Sequence, residues 1–248
     1  MSCGCRALIV LLMCCFGGRI ARAQVPEKFT NLQFFSKDTS HDELLQVMRG
    51  FSFSLNVRCQ YCHAGPDGQS LKGTNFASDE KETKRTARTM LRMVDAINQQ
   101  YISKLDIKTA ARVECVTCHH GLTKPVSMNA LLAETIDKKG LDSALELYRD
   151  LRKKSFGAGQ YDFGETPLNQ LTEALLKQHK AREAAAIMEM NVEFNAPPGM
   201  WTRNLLAMAH AANNETDKAK TDFQKILEID PQNAFAKQQL EKLNSAKP

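Results

Sequence analysis

The sequence has few aromatic residues, little net charge and no hydrophobic run long enough to cross a membrane. Phe, Tyr and Trp make up 7% of its 248 residues. The formal net charge is +5, and three arginines within residues 1–23 supply part of it, which leaves +2 for the remainder. A charge this small does not indicate nucleic acid as a partner. The longest apolar run, residues 7–16, is about half of the ~20 residues that a transmembrane helix needs.

The first 23 residues are predicted to be an export signal. Arg6 gives a positive start, residues 7–16 form the apolar segment, and residues 21–23 offer small side chains to signal peptidase. We therefore expect a signal peptide at residues 1–23 and an exported, periplasmic protein. An uncleaved anchor that keeps the protein at the membrane surface is one alternative, and a lipoprotein modified at a cysteine of the apolar segment is another.

Cysteine is absent after residue 118, and every cysteine outside the predicted signal belongs to one kind of motif. Four of the eight cysteines lie within residues 1–23. The other four form two copies of Cys-x-x-Cys-His, which are Cys59, Cys62 and His63, and Cys115, Cys118 and His119. No cysteine is left for a structural disulfide, although an exported protein meets oxidising conditions.

Cys-x-x-Cys-His is the attachment motif of c-type haem. Residues three apart on a helical turn face the same way, so the two thiols can reach one edge of a porphyrin and form thioethers with its vinyl groups. The imidazole of the following histidine then turns back onto the iron. The sequence therefore predicts two haem c groups. A zinc site made of all four cysteines is the alternative, and it is disfavoured because both motifs end in histidine.

An all-α haem domain is predicted over residues 24–125. A capping-box pattern and apolar residues at helical spacing indicate a helix that ends near Asn56. Residues 64–78 are rich in Gly, Ser and Asp and predict a surface loop. A long amphipathic helix is then predicted over residues 79–104. Its basic residues are expected to form a solvated face, with pairing to haem propionates as the alternative, and they are Lys81, Arg85, Arg88 and Arg92.

From about residue 126 the composition changes to paired amphipathic helices. The residues at the spacings of a tetratricopeptide repeat (TPR) are Leu206, Ala207, Ala219, Phe223 and Pro231. Weaker copies occur around Ala144 and Ala184, so the marker alanines are 40 and 35 residues apart, against ~34 in that repeat. We predict a TPR-like helical domain over residues 126–248, with plain helical hairpins as the alternative.

The helical tail is predicted to serve as a docking surface for a protein partner. Stacked helical hairpins commonly present concave binding faces. Simple packing against the haem domain is the alternative. The two histidines of the tail, His179 and His210, are expected to be structural.

The sixth ligand of each iron decides between electron transfer and catalysis. An open iron binds gases or peroxide, whereas a methionine thioether closes the site and raises the potential. Met48 lies eleven residues before Cys59, and Met93 lies 22 residues before Cys115. The positions of these two methionines are explained equally well if their side chains fill the core and bind no iron. Met90, three residues before Met93, is a rival ligand for the second iron.

Residues 32–125 resemble the cytochrome c subunit of photosynthetic reaction centres, and more closely the dihaem members of that family. The matching stretches are MRGF at 48–51, VRCQYCH at 57–63, FASDEK at 76–81, MLRM at 90–93 and VECVTCH at 113–119. In that family each haem unit is a helix with an axial methionine, a turn, and a helix that begins with Cys-x-x-Cys-His. The resemblance implies Met48 with His63, and Met93 with His119, as axial pairs.

The expected function is electron transfer in the periplasm by a dihaem c-type cytochrome. Its partners are expected to be redox proteins that donate and accept electrons, including a membrane-bound electron-transfer complex. The sequence contains no Ser/His/Asp set, paired catalytic carboxylates or phosphate loop, so we predict no catalytic residues. Two alternatives stay open: a dihaem peroxidase with one open iron, and a haem-based sensor or interaction protein.

Overall fold

The computed structural model describes residues 25–66, 68, 70–106 and 112–245, and this part of the chain is helical. Its only β contact is an isolated antiparallel bridge between Ala64 and Asn75. The predicted all-α fold is therefore confirmed. The predicted export signal at residues 1–23 lies outside the described residues.

Two compact units divide the described chain. The first contains residues up to Ser52 together with Val57–Val113, and the second contains Phe53–Asn56 and the chain from Glu114 onward. The first Cys-x-x-Cys-His motif thus belongs to the first unit, and the second motif belongs to the second. The division at residues 125 and 126 was drawn from composition, and it stays a prediction.

The first helix, α1, spans His41–Leu55. Its start is capped by Ser40, whose Oγ accepts a hydrogen bond of 3.3 Å from the backbone N–H of Glu43. The helix ends before Asn56, whose φ of 52° lies in the left-handed region. Asn adopts this conformation more readily than most residues, which is why the helix ends there as predicted.

The second helix, α2, spans Glu82–Ala96 and is shorter than predicted. Lys81, whose backbone is extended, is its N-cap, and residues 79 and 80 lie before the helix. Beyond Ala96 the chain continues as a π turn, Ile97–Tyr101, and a 3₁₀ turn, Ile102–Lys104. The predicted helix over residues 79–104 is therefore wrong at its start and changes its hydrogen-bond register near its end.

The second unit contains the short helix α3, Cys115–His119, followed by three helical hairpins and a last helix. The hairpins and the last helix are α4 Met128–Lys139 with α5 Leu141–Ser155, α6 Glu165–Lys177 with α7 Ala181–Phe194, α8 Met200–Ala212 with α9 Thr216–Ile229, and α10 Ala234–Ser245. The two helices of each hairpin pack on one another, and so do α7 with α8 and α9 with α10. Helix α6 also packs on α4 and α8, and α5 packs on α7. None of the described helices is both long and apolar enough to span a bilayer.

One buried pair recurs on the second helix of each hairpin. An alanine is followed four residues later by a large side chain, and all six residues are at most 1% exposed. The pairs are Ala144 with Tyr148, Ala184 with Met188, and Ala219 with Phe223. Residues four apart share a helix face, so the small side chain lets a neighbouring helix approach while the large one fills the space beside it. This packing confirms the predicted TPR-like tail.

Candidate functional site

The first motif forms one tight turn. Cys59–Tyr61 is a 3₁₀ turn, and the backbone N–H groups of Cys62 and His63 both donate to the carbonyl of Cys59, at 3.2 and 2.9 Å. Both thiols and the imidazole are therefore carried by a single turn of chain, as covalent attachment to one haem requires.

Side chains at the start of α2 and a backbone carbonyl of the 64–78 loop fix this turn. Thr83 donates its hydroxyl to the carbonyl of Tyr61 at 2.6 Å, and Lys81 donates its ammonium to the carbonyl of Gln60. The buried side chain of Gln60 donates in turn to the carbonyl of Ser70 at 3.0 Å. These bonds satisfy the carbonyls of the turn and hold the attachment residues in place.

His63 is held as a neutral imidazole beside an aromatic ring. Its ring lies 4.9 Å from that of Phe76, centroid to centroid. Burial, followed by the positive charge of Lys84, lowers the pKa of His63 to about 4. Its Nδ1 is buried and has no hydrogen-bond partner within the described residues. Neutral imidazole is the form that ligates a metal.

A buried lysine holds Phe76 in this position. Lys84 is 8% exposed and donates to the carbonyls of Phe76 and Ser78 at 2.8 and 2.7 Å. Its third interaction is with Asp79, whose Oδ1 lies 3.2 Å away and also pairs with Arg88 at 2.7 Å. The ammonium thus makes two hydrogen bonds and one ion pair, and the segment that carries Phe76 is tied to α2.

The basic residues of α2 therefore have a role that spacing did not indicate. Arg85 donates to the carbonyls of Asp79 and Glu80 at 2.7 and 2.8 Å, and the side chain of Arg88 is only 11% exposed. With Lys81, they bind the segment before α2 and the first motif. The predicted solvated face is confirmed for Arg85 and Arg92, which are exposed. It is wrong for Lys81 and Arg88, because a helical pattern identifies a face but not the loop that folds against it.

We expect Asp79→Asn to destabilise the protein at pH 7 and to make little difference in acid. Hydrogen bonding from Arg88 holds the pKa of Asp79 well below its usual range. The stability that comes from its ionised form is present above the unfolded-state pKa of ~3.9 and is lost as the pH falls towards the folded-state value. Urea midpoints of the two proteins should therefore converge below about pH 4. The exposed Asp38 supplies the control, since Asp38→Asn should leave the midpoint at pH 7 unchanged. A constant difference between the wild type and Asp79→Asn from pH 7 to pH 3 would contradict this account.

The second motif forms the short helix α3. Glu114 caps it through a reciprocal pair of bonds with Thr117, one of which runs from the N–H of Glu114 to the Thr117 hydroxyl at 3.0 Å. Nδ1 of His119 lies 2.7 Å from the carbonyl of Leu122. A carbonyl accepts only, so Nδ1 carries the proton and Nε2 keeps its lone pair for a metal. Histidine ligands in proteins are oriented in this way.

A buried asparagine anchors the chain that enters the second motif. Asn98 is 7% exposed and lies in the π turn after α2. Its amide donates to the carbonyls of Val94 and Val113 at 3.0 and 2.8 Å, and its oxygen accepts from the N–H of Val113 at 2.9 Å. Val113 is two residues before Cys115, so this side chain substitutes for a backbone partner just ahead of the motif. Sequence reasoning missed it, and a polar residue within an apolar helical pattern was the only signal.

Asn98→Ala should lower the free energy of unfolding by about 2–3 kcal/mol, because it leaves backbone groups of Val113 without partners. Thermal or urea unfolding of the holoprotein measures the loss. Gln99→Ala is a matched control on the next residue, since Gln99 is exposed and its side chain donates to Asp95 on the surface, and it should cost less than about 0.5 kcal/mol. Equal losses in the two variants would show that Asn98 has no special role.

The methionine ligands predicted for the two irons lie on α1 and α2. Met48 is half-buried on α1 and belongs to the same compact unit as His63. Met90 and Met93 lie on α2, 37% and 46% exposed, and also belong to the first unit, whereas His119 belongs to the second. The axial pairing of methionine with histidine stays a prediction at both motifs.

The donor atoms of both turns fit haem c. The four cysteines are free thiols, and in each motif two thiols precede an imidazole that is held neutral or presents Nε2. Burial raises the pKa of the Cys62 and Cys115 thiols, so both are protonated at neutral pH. A helical chain that carries such turns has the features of a c-type haem protein.

Comparison with known proteins agrees with this class. The photosynthetic reaction centre cytochrome C subunit family matches residues 21–187, well over half of the chain, and the protein belongs to that family. The chain is also similar to cytochrome c-554 of Chloroflexus aurantiacus, with 42% identity over 69 residues. That match covers 28% of this chain and spans only 15% of the relative's length. Membership of the family implies covalently bound haem c and a c-type cytochrome that takes part in electron transfer.

The tail is weakly similar to solved TPR structures. The first TPR of Spaghetti (RPAP3) bound to an HSP90 peptide has a TM-score of 0.33 and 17% identity, and covers 47% of this chain and 87% of that one. The second TPR domain of human RPAP3 with an HSP70 peptide has a TM-score of 0.34 and 18% identity, and covers 48% and 94%. The TPR-like character of the tail rests on its hairpins and buried alanines.

Proposed function

We propose that the protein is a periplasmic dihaem electron carrier with two six-coordinate irons. The covalent attachment residues are Cys59 and Cys62 for the first haem and Cys115 and Cys118 for the second. The axial pairs are Met48 with His63, and Met93 with His119. Bound haem supplies a one-electron ferric/ferrous couple. The donor and acceptor are proposed to be redox proteins.

The observation that carries this proposal is the hydrogen bond from His119 Nδ1 to the carbonyl of Leu122 at 2.7 Å. This bond fixes the imidazole so that Nε2 is the free nitrogen. His119 directly follows Cys118 on the same helical turn as Cys115. A histidine held in this way is prepared to ligate a metal. His63 supports the same role at the first motif, since its burial keeps the ring neutral.

The two haems are expected to differ in potential. The surroundings of His63 are buried and contain the cations Lys84 and Arg88, only partly balanced by Asp79. Positive charge and burial near a haem favour the ferrous state, which has one positive charge fewer. The second motif lies on a more exposed helix. We therefore expect the first haem to have the higher potential.

A potentiometric titration that is monitored by optical absorption tests the proposal. We expect two one-electron waves, low-spin spectra in both oxidation states and the long-wavelength band of sulfur-ligated ferric iron. A high-spin ferric component together with turnover of peroxide would instead identify a dihaem peroxidase. Failure of either haem to exchange electrons with any donor would favour the sensor or interaction protein.

A further inference from the structure

Four acid–base side chains meet where the last two complete hairpins pack together. Glu189 lies on α7, His210 in the last turn of α8, Glu215 directly before α9, and Asp222 on α9. Within the described residues, Glu189, His210 and Glu215 are the only group of three or more His, Cys, Asp or Glu whose ligand atoms all lie within 4.8 Å of one another. Neither haem motif includes any of them.

The imidazole of His210 is buried and oriented by a carboxylate. Its side chain is 5% exposed, and Nδ1 lies 2.7 Å from Oδ2 of Asp222. Because a carboxylate accepts hydrogen bonds, Nδ1 carries a proton and Nε2 faces the other way. A carboxylate behind the histidine is the usual outer support of a histidine that ligates zinc.

Two further carboxylates face Nε2 of His210. Oε1 of Glu189 lies 3.3 Å from it and Oε2 of Glu215 lies 3.8 Å from it. The Oε2 atom of Glu215 is fully buried and has no hydrogen-bond partner in the described part of the chain. When Nε2 is unprotonated, these three atoms present their lone pairs to one another, an arrangement that a metal ion between them stabilises; a proton on Nε2 is the competing cation.

We propose that Glu189, His210 and Glu215 form a zinc-binding site in the helical tail. Zinc lies about 2.0–2.2 Å from nitrogen and oxygen ligands, so the atoms at neighbouring corners of its tetrahedron are roughly 3.3–3.6 Å apart. The separations of 3.3 and 3.8 Å are close to that edge. An imidazole in the set favours zinc over calcium or magnesium, and a water completes the fourth position, as in other sites with three protein ligands.

Lys218 competes with the metal for these carboxylates. Its ammonium lies 2.7 Å from Oε1 of Glu189 and 3.1 Å from Oε1 of Glu215. The lysine side chain is 53% exposed, so it can turn towards solvent when zinc binds. Removing its charge should therefore tighten zinc binding, whereas a purely structural ion-pair cluster with a protonated His210 would take up no zinc with or without the lysine.

Zinc uptake by the full-length holoprotein tests the site. The protein is equilibrated with buffered micromolar free zinc and desalted, and the zinc per polypeptide is measured by elemental analysis. We expect one zinc per chain in the wild type and at least a tenfold loss of affinity in His210→Asn. Asp222→Asn should weaken binding by about 10–100-fold, as is typical for outer-shell partners, and Lys218→Met should strengthen it.

The matched control is His179→Asn, since His179 is an exposed histidine of the same tail and its loss should leave zinc uptake unchanged. If a variant fails to fold, the zinc-dependent rise in the melting temperature of the wild type provides a second measurement, because a ligand that binds only the native state stabilises it. Absence of zinc from the wild type, or equal uptake by His210→Asn, would overturn the proposal. Zinc is counted per polypeptide, so the result does not depend on the number of haems.

Discussion

Replacing Cys115 and Cys118 together with serine should produce a protein that holds one haem instead of two. The two thiols of a motif are the only covalent links to its haem, and serine hydroxyls form no thioethers. The effect should be a loss of about half of the haem absorbance per polypeptide, and an intact mass lower by one haem after acid–acetone extraction. Replacing Cys59 and Cys62 should remove the other haem.

Val116→Ala provides the matched control for the second motif. Val116 lies between the two cysteines on α3 and is 46% exposed, so shortening it should preserve both haems. If the wild type retains no haem mass after extraction, or if the double serine variant still retains two, covalent attachment at Cys115 and Cys118 is wrong. A zinc content of one per chain in wild type that disappears with these cysteines would favour the four-cysteine zinc site.

Replacing Met93 with alanine should abolish the sulfur-to-iron band of one haem, whereas Met90→Ala should leave both bands intact. Loss of the thioether opens the sixth position of the second iron and lowers its potential, because sulfur stabilises ferrous iron. Met93→His should restore six-coordination while keeping the potential low, on the order of a few hundred millivolts below the wild type, within the ~0.8 V range that axial ligands control. Near-infrared absorption and potentiometric titration measure the two effects.

Met90 serves as the matched control for Met93 because both methionines lie on α2. Met90 and Met93 are three residues apart on one helix and are similarly exposed, at 37% and 46%, so a general effect of substitution on α2 should appear in both variants. If Met90→Ala removes the band and Met93→Ala does not, Met90 is the ligand. If neither substitution changes the spectrum, the second iron has no methionine ligand and the peroxidase or sensor alternative is favoured.

Met48→Ala should have the corresponding effect on the first haem. Met48 is half-buried on α1, so its truncation is also expected to destabilise the protein by about 2–4 kcal/mol. The spectroscopic loss distinguishes ligation from packing, because a methionine that only fills the core leaves the sulfur band in place. Met48→Leu keeps most of the volume and should therefore keep the stability while losing the band.

The helices and the attachment motifs could be predicted from the sequence because their physical causes are local. Hydrophobic periodicity indicated the hairpins of the tail, and the alanine spacing identified the residues Ala144, Ala184 and Ala219 that are now seen to be fully buried. The end of α1 at Asn56 follows from a single backbone preference. The Cys-x-x-Cys-His spacing lies within five residues, so both motifs could be recognised from the sequence, although the first forms a 3₁₀ turn and the second forms the helix α3.

The supports of these motifs could not be predicted, because they join residues that are distant in sequence. Lys84 fixes Phe76 beside His63 only after the loop has folded back on α2, and that helix begins at Glu82, three residues later than predicted. Asn98 reaches Val113 across fifteen residues. A periodic pattern records which side of a helix is apolar, whereas these contacts depend on what packs against that side.

The sequence by itself determined the all-α class, the TPR-like tail and the two cysteine motifs, since each depends on residues within a few positions of one another. Only the tertiary structure decided how His63 is held, which basic residues of α2 are structural, and that Glu189, His210 and Glu215 meet although they come from α7, α8 and the start of α9. The physical reason is the same in each case. Short-range spacing fixes the direction of a side chain on its own helix, but the partner it finds there depends on packing between elements, which local sequence does not encode.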